Sequence, residues 1–133
     1  MRPVVLHIPH SSRFIAPEVR ATLLPSVERI EHELLILTDA WTDQIVEGLA
    51  LDAKRIIFPV SRLVVDPERF SRDEDEPMAK KGMGATYTKL SSGETLRVLS
   101  KGERRQLMET YYYPHHASLT KAVGEALLNV ALA

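Results

Sequence analysis

The sequence predicts an α/β fold with at least one parallel crossover. Two short, nearly continuous apolar runs, at residues 3–8 and 54–60, contain the β-branched side chains typical of strands buried on both faces. The first run ends at Pro9. Between the two runs, apolar side chains recur every three or four positions over residues 27–50, which is the spacing of one helix face. A strand, a helical segment and a second strand in this order are typical of a parallel βαβ unit.

The connection between the two predicted strands is expected to hold more than one helical segment. Pro17 suits the first position of a short helix over residues 17–24, because a helix leaves that N–H unpaired in any case. Within the 27–50 pattern, Thr38 and Asp39 are residue types that commonly cap a new helix. The sequence therefore leaves one broken helix and two separate helices as alternatives.

The second half of the chain is predicted to contain a short strand, a long loop and a helix. Residues 63–65 are apolar and are expected to form a third strand. Residues 67–93 are rich in charge and glycine and are expected to form a loop, and loops of this length are usually functional or mobile. Helical spacing returns from Lys101, and Pro114 should kink or split this helix. One side of the predicted helix carries Leu107, Tyr111, Ser118, Ala122, Ala126 and Val130.

The composition is that of one globular domain and argues against several classes of protein. The 133 residues, of which 44% are hydrophobic and 26% charged, amount to a single domain over residues 1–133. The net charge of −1 lacks the basic excess of nucleic-acid-binding proteins. No stretch approaches the ~20 apolar residues that cross a bilayer, and the N-terminus is unlike a signal peptide. We therefore expect a cytoplasmic protein that binds neither membrane nor nucleic acid.

The last residues of the sequence, ALLNVALA, are apolar almost all the way round a helix. A terminal helix that faces solvent normally keeps a polar side. The sequence therefore predicts that another surface covers this end, supplied by a complementing C-terminal segment or by a second copy in a homo-oligomer.

Two histidines lie at the end of the first predicted strand, in the segment HIPHSS at residues 7–12. Because the chain has no cysteine, any metal must be held by His, Asp or Glu. Open α/β sheets build their sites at strand ends, and neutral imidazole is a common ligand of zinc and related ions. The alternative is that His7 packs within the strand and His10 caps a turn.

Asp39 and Asp43 are four residues apart, so they share one face if a single helix contains both. Two carboxylates at this spacing repel each other weakly, and a nearby cation would offset the repulsion. A carboxylate here could complete a metal site with a histidine. The alternative is that Asp39 caps a helix while Asp43 is solvated.

Arg62, Asp66 and Arg69 flank the apolar segment that precedes the predicted loop. A guanidinium group binds a carboxylate through two parallel hydrogen bonds, so two arginines near a sheet end could hold an acidic molecule while the aspartate orients one of them. The alternative is a structural ion pair.

The adjacent residues His115 and His116 follow three tyrosines and a proline on the last predicted helix. Neighbours on a helix point ~100° apart, so only one of the two can readily face a given site. The alternative is aromatic packing with one exposed histidine, and this cluster alone is weak support for a function.

Taken in order, four segments resemble the N-formylglutamate amidohydrolase family. They are the strand and loop HIPHSS, the helical segment DAWTD at 39–43, the segment SRLVVDPER at 61–69 and the helical segment YYYPHHASL at 111–119. The resemblance implies an α/β sandwich with a mostly parallel sheet, akin to zinc carboxypeptidases and aspartoacylase. It also implies hydrolysis of N-formyl-L-glutamate to formate and L-glutamate in histidine degradation.

The same resemblance implies roles for individual residues. His10 and Asp39 match positions expected to hold a divalent metal, with zinc the first expectation. Ser11, Arg62 and Arg69 match the region that would bind a small acidic N-acyl amino acid. His116 and Asp66 are the expected catalytic residues.

One part of the family pattern is missing from this sequence. Family members continue into a further strand that ends in Asp-x-His-Ser, so the domain is expected to be partial. The alternatives to an amidohydrolase are a truncated or degenerate non-catalytic fragment and a carboxylate-binding module that needs a C-terminal partner segment.

Overall fold

The computed structural model describes residues 3–49 and 52–132 and shows an α/β fold with a two-stranded parallel sheet. Strand β1 (Val4–Ile8) pairs with strand β2 (Ala53–Ile57), and the register sets His7 beside Ile56. The helices are α1 (Pro17–Arg20), α2 (Val27–Leu37), α3 (Thr42–Gly48), α4 (Lys101–Leu107) and α5 (Tyr113–Leu132), with a π-helical segment at Met108–Tyr112 and 3-10 turns at Asp73–Asp75 and Pro77–Lys81.

Two separate helices, rather than one broken helix, connect the strands. Helix α2 ends at Leu37 because Thr38 adopts an extended conformation (φ −90°, ψ 128°). Helix α3 begins at Thr42, immediately after Trp41, which has a left-handed backbone (φ 70°). Residue 50, the last position of the predicted helical stretch, lies outside the described residues. The break between α2 and α3 places Asp39 in a loop.

Two predicted elements are shorter than expected. The first helix stops at Arg20 instead of running over residues 17–24, and the second strand stops at Ile57 instead of continuing to residue 60. Pro59 has no N–H to donate to a neighbouring strand, which limits β2 on that side. The last ladder contact is the Phe58 N–H, which donates to the Ile8 carbonyl at 3.0 Å.

The prediction of a third strand at residues 63–65 is wrong, because these residues form a buried turn. The Val64 N–H donates to the Ser61 carbonyl at 2.9 Å, and the Leu63 N–H donates to the Ser61 hydroxyl at 3.1 Å. Val64 and Val65 are completely buried, so their apolar character reflects their place in the core rather than a ladder. This turn brings Asp66 into the interior.

The segment predicted as a long loop is irregular but packed into the core. Ala85 and Tyr87 are completely buried, and Leu90 is nearly so. Gly82 closes the second 3-10 turn at φ 72°, where a Cβ atom would lie 2.6 Å from Cγ of Lys89. The core on which this segment packs includes Ile15, Ile30, Leu34, Phe58, Leu63, Leu96 and Met108.

The last helix is interrupted before Pro114, as predicted, but by a π-helical segment. The wide turn at Met108–Tyr112 leads into α5 without a break, and Pro114, the second residue of α5, has no N–H to donate back into that turn. The extra residue in the turn shifts the buried stripe. The buried side chains are those of Met108, Tyr112, His115 and Ala122, whereas the predicted positions Ser118 and Val130 are exposed.

The C-terminal half of α5 has exposed apolar side chains. Leu127, Leu128 and Leu132 are each more than half exposed, at 65%, 59% and 78%. Even so, within residues 3–49 and 52–132 no helix has the length and apolar character needed to cross a membrane.

Candidate active site

His10 lies just beyond the end of β1, where Pro9 turns the chain inward. Its side chain is buried, with 4% exposed, and Nε2 lies 2.8 Å from Oδ1 of Asp66. Asp66 is completely buried at the end of the turn that replaces the predicted third strand. The structure thus brings together two of the residues singled out in the sequence, although 56 positions separate them.

The Asp66 carboxylate is surrounded by hydrogen-bond donors. Oδ2 accepts from the Tyr87 hydroxyl at 2.7 Å and from Nη2 and Nε of Arg62 at 2.9 and 3.2 Å. Oδ1 accepts from the Glu68 N–H at 3.0 Å as well as from His10. Burial alone would raise the pKa of Asp66, but the hydrogen bond with His10 and the charge of Arg62 hold that pKa well below its ordinary value. Asp66 is therefore ionised.

The ionised Asp66 determines the tautomer of His10. A carboxylate without a proton can only accept, so His10 Nε2 carries the hydrogen in this contact. The other ring nitrogen, Nδ1, lies 3.7 Å from Oδ2 of Asp39 and 3.7 Å from Oε2 of Glu68. Both carboxylates are more than half exposed, whereas the imidazole is buried. The arrangement directs one ring nitrogen at two solvent-facing carboxylates.

Asp39 reaches the site from the loop between α2 and α3. Its N–H donates to the His10 carbonyl at 2.9 Å, which ties the two loops together. Asp39 and Asp43 do not share one helix face, because Asp39 precedes α3 and Asp43 lies within it. The left-handed Trp41 lies between them and is 66% exposed.

The two arginines contact Asp66 in different ways. Arg62 donates to Asp66 and also to the Tyr87 hydroxyl at 3.0 Å, so most of its guanidinium group is engaged. Burial would lower the pKa of Arg62, but the charge of Asp66 raises it. Arg69 is farther away, with Nε 3.5 Å from Oδ2, and among the described residues this buried Nε has no hydrogen-bond partner. More of the N–H groups of Arg69 than of Arg62 therefore remain available to donate hydrogen bonds.

His116 supports the turn that follows Asp66. Its Nε2 donates to the Pro67 carbonyl at 2.7 Å, and its ring lies against Tyr112 with centroids 4.4 Å apart. The Tyr112 hydroxyl in turn donates to the Arg69 carbonyl at 2.7 Å. The start of α5 and the π-helical segment thus hold both ends of the Pro67–Glu68–Arg69 turn.

His115 faces β1 rather than this turn. Its Nε2 lies 2.8 Å from Nε2 of His7, so one imidazole donates and the other accepts. Burial, followed by the nearby charges of His7 and His116, lowers the pKa of His115 to about 4. Burial also lowers the pKa of His7. The pair is held neutral beside the ring of Phe58.

A buried arginine lies behind the site. Arg97 is 1% exposed, and it donates from Nε to the Tyr87 carbonyl and from Nη2 to the Val64 carbonyl, both at 2.8 Å. Desolvation lowers its pKa to about 10. Arg97 joins the segments that carry Tyr87 and Asp66.

Two side chains of the site, those of Tyr87 and Glu68, were not predicted from the sequence. Tyr87 lies in the segment predicted to be a loop, and no motif marked it as a partner of Asp66. Glu68 stands within the segment 61–69, but the sequence interpretation gave it no role. The only sequence signal for Glu68 was its position two residues after Asp66.

Ser11, which was predicted to bind substrate, follows His10 directly and is partly buried.

The types of ligand atom near His10 are those that divalent metals bind in proteins. An imidazole nitrogen and two carboxylates are ligands that zinc accepts, and a hydrogen bond from the second ring nitrogen to a carboxylate is the usual support of a ligating histidine. These side chains, however, do not lie close enough together to form a metal site. Within the part of the chain that the structure describes, no three His, Asp or Glu side chains already converge as a metal-binding group.

Comparisons with known proteins identify similar sequences and folds. The sequence model of the N-formylglutamate amidohydrolase family matches residues 2–132. The fold is similar to that of a crystal structure of N-formylglutamate amidohydrolase from Ralstonia eutropha JMP134, with a TM-score of 0.80 and 21% sequence identity. That match covers 96% of this chain and 49% of the other, so the chain spans about half the length of that enzyme. Among proteins of curated function, none matches.

Proposed function

Because the chain belongs to the N-formylglutamate amidohydrolase family, we propose that it acts in the hydrolysis of N-formyl-L-glutamate to formate and L-glutamate, a step of histidine degradation. The substrate class is a small acidic N-acyl amino acid. The expected fold of the whole enzyme, a sandwich akin to zinc carboxypeptidases and aspartoacylase, is part of the same proposal.

One observation carries the proposal, namely the contact between Asp66 and His10. A buried, ionised carboxylate fixes the proton on Nε2, which leaves Nδ1 directed at Asp39. Metal-ligating histidines are generally held in this way by a second hydrogen bond. His10 and Asp39 would hold the ion, and Asp66 would act as the residue that orients the imidazole.

A divalent metal, with zinc as our first expectation, would supply two effects when bound, polarisation of the formyl carbonyl and a lower pKa for a water molecule. The chain's own residues bind and orient the substrate around it. Arg69 lies beside Asp66 with 22% of its side chain exposed and would bind a glutamate carboxylate, while Arg62 fixes Asp66. Ser11, adjacent to His10, would donate to the substrate.

His116 would act near the Pro67 turn. Its Nε2 donates to a backbone carbonyl in the structure, so a proton transfer through His116 would have to use Nδ1 or require the Pro67 contact to open. A histidine suits proton transfer near neutral pH because its ordinary pKa is close to it. We therefore propose His116 both as a support of the turn and as the residue that handles a proton.

The test is formate release from N-formyl-L-glutamate by the purified protein, with zinc supplied. We expect turnover that His10→Ala abolishes, with His32→Ala as the matched control because His32 is an exposed histidine on α2. Asp39→Asn should lose turnover as well, whereas Asp43→Asn should keep most of it. Equal turnover by the His10→Ala variant and the unchanged protein would refute the metal role, and absence of formate release from the unchanged protein would refute the activity of this chain.

A further inference from the structure

The loop between α2 and α3 is attached to two parts of the candidate site. The Asp39 N–H donates to the His10 carbonyl at 2.9 Å, and Nη1 of Arg62 lies 3.5 Å from the Leu37 carbonyl at the end of α2. Arg62 in turn donates to Asp66, the hydrogen-bond partner of His10. The loop is therefore held beside the buried imidazole and beside the arginine that fixes the buried carboxylate.

Trp41 lies in this loop with a backbone conformation that its side chain disfavours. Its φ of 70° and ψ of 0° are those of the third residue of a type II turn, a position that glycine or asparagine normally occupies. The Thr42 hydroxyl donates to the Asp39 carbonyl at 2.9 Å, and the Ile45 N–H donates to the Trp41 carbonyl at 2.8 Å. Hydrogen bonds of the turn and of α3, rather than the indole, therefore impose the left-handed conformation.

The indole of Trp41 does little for the fold. The residue is 66% exposed, and it is not part of the core that the described residues form. Backbone strain at a residue that contributes no packing is typical of active sites and ligand clamps. A strained and exposed tryptophan two residues from Asp39 therefore indicates contact with a ligand.

The indole is close enough to contact a molecule bound at the site. The Cα atoms of Asp39 and Trp41 are at most ~7 Å apart, because only one residue separates them. The Asp39 carboxylate lies 3.7 Å from Nδ1 of His10 and is 59% exposed, so it also faces solvent. A ligand beside Asp39 and His10 would therefore be within reach of the ring.

The residues assigned to the substrate so far are all polar. Arg69 and Ser11 would bind its charged and polar groups, and His10 and Asp39 would lie at the reacting amide. A glutamate side chain also contains two methylene groups, and small-molecule sites combine a few polar groups with apolar or aromatic surface. Trp41 is the large, exposed apolar side chain of the loop that contacts His10, so it would supply the surface that the other residues lack.

We propose that Trp41 is a substrate-contact residue, which lies against the methylene groups of the acidic N-acyl amino acid and selects for the length of that side chain. The inference rests on the proposed function, because it requires a small acidic substrate beside His10. It adds an apolar component to substrate recognition, and this component does not depend on a metal ion.

Fluorescence provides a test that does not depend on turnover. Trp41 is the only tryptophan in the sequence, so tryptophan emission reports on this residue alone. We expect N-formyl-L-glutamate to change the emission saturably and to protect the exposed ring from quenching by acrylamide. Formate alone should do neither. Arg69→Gln, which removes the proposed carboxylate partner, should need a higher ligand concentration for the same change.

Steady-state kinetics provides the second readout. Trp41→Ala should raise KM for N-formyl-L-glutamate about tenfold and leave kcat nearly unchanged, because each methylene contact is worth roughly fourfold in affinity. Trp41→Phe, which keeps an aromatic ring, should restore most of the loss. The preference for N-formyl-L-glutamate over N-formyl-L-aspartate, which has one methylene fewer, should fall roughly fourfold in Trp41→Ala.

Leu24→Ala is the matched control, because Leu24 is a 64% exposed apolar residue in the loop before α2. It should leave KM and the preference unchanged. Trp41→Gly, which relieves the backbone strain, replaces the alanine variant in the same measurements if that variant does not fold.

The outcomes separate this inference from the proposed function. Formate release with an unchanged KM in Trp41→Ala would overturn the contact, whether or not the emission changes, and would leave the proposed function standing. A saturable emission change without formate release would support the contact and refute hydrolysis by this chain. If neither formate release nor an emission change occurs, both proposals fail. Emission that varies with protein concentration in the absence of ligand would assign the indole to a contact between two copies and overturn the inference.

Discussion

The Tyr87 hydroxyl donates a hydrogen bond of 2.7 Å to Asp66, the shortest of the contacts to that carboxylate. Burial and the negative charge of Asp66 raise the pKa of Tyr87 to about 12, so the phenol remains protonated and remains a donor. Through this contact an irregular segment of the fold supports the residue that orients His10.

Tyr87→Phe should destabilise the protein and loosen Asp66. The variant removes a hydrogen bond to a charged group in the core, which is worth about 1.5–3 kcal/mol of the free energy of unfolding. Urea denaturation of both proteins measures the difference. Tyr113→Phe is the matched control, because Tyr113 is half exposed. Equal losses in the two variants would contradict a special role for the Tyr87 hydroxyl.

The stability of the protein should fall with acidification through the titration of His115. Its pKa is lowered from 6.5 to about 4 in the folded state, so the unfolded chain binds a proton more readily. The stability that neutral His115 contributes is therefore fully present above pH 6.5 and is lost as pH falls towards about 4. Burial also lowers the pKa of His7, which adds to the same trend.

Urea denaturation at several pH values tests this dependence. His115→Gln should flatten the change in unfolding free energy between pH 6.5 and 4, whereas His32→Gln, an exposed substitution, should leave it unchanged. A His115→Gln profile as steep as that of the unchanged protein would assign the acid sensitivity to other groups.

Arg69→Gln should weaken substrate binding more than the chemical step. The partly exposed guanidinium group of Arg69 is the donor that we assign to a glutamate carboxylate, and a charged hydrogen bond of about 1.5–3 kcal/mol corresponds to roughly a tenfold or greater increase in KM. Steady-state kinetics with N-formyl-L-glutamate measures KM and kcat separately. Arg105→Gln, on the exposed side of α4, is the control. A fall in kcat at constant KM would count against Arg69 as the binding residue.

Trp41 stores backbone strain beside Asp39. A left-handed conformation costs a non-glycine residue roughly 1–2 kcal/mol, which glycine avoids. Trp41→Gly and Trp41→Ala both remove the ring, but only alanine keeps a Cβ atom. We therefore expect the glycine variant to be the more stable of the two by roughly 1 kcal/mol, less what glycine loses in unfolded-chain entropy. Without strain, alanine would be the more stable of the two by about 0.4–1 kcal/mol, so a higher thermal midpoint for Trp41→Ala would show that Trp41 is not strained.

The residues of the site were predictable where local rules bring them to a strand end. His10 follows a strand, and Asp66 with Arg62 and Arg69 follows an apolar segment, so their meeting near the sheet was foreseeable. The contact of Tyr87 with Asp66 depends on how an irregular segment packs, which periodicity does not describe.

Two features of the fold could not be read from composition or spacing. Residues 63–65 have the composition of a strand because composition records burial, and a buried turn is as apolar as a buried strand. The shared face expected for Asp39 and Asp43 assumed a continuous helix, but the extended Thr38 and the left-handed Trp41 end one helix before the other begins.

The wide turn at Met108–Tyr112 decides which of two neighbouring imidazoles meets which partner. In its presence His115 touches His7 and His116 holds the Pro67 carbonyl. Each residue of an α-helix advances the side chain by about 100°, so deleting one residue from the turn would rotate all of α5 by that angle. Both pairings would break together, and the Pro67–Glu68–Arg69 turn would lose its contact with His116 although His116 itself is unchanged.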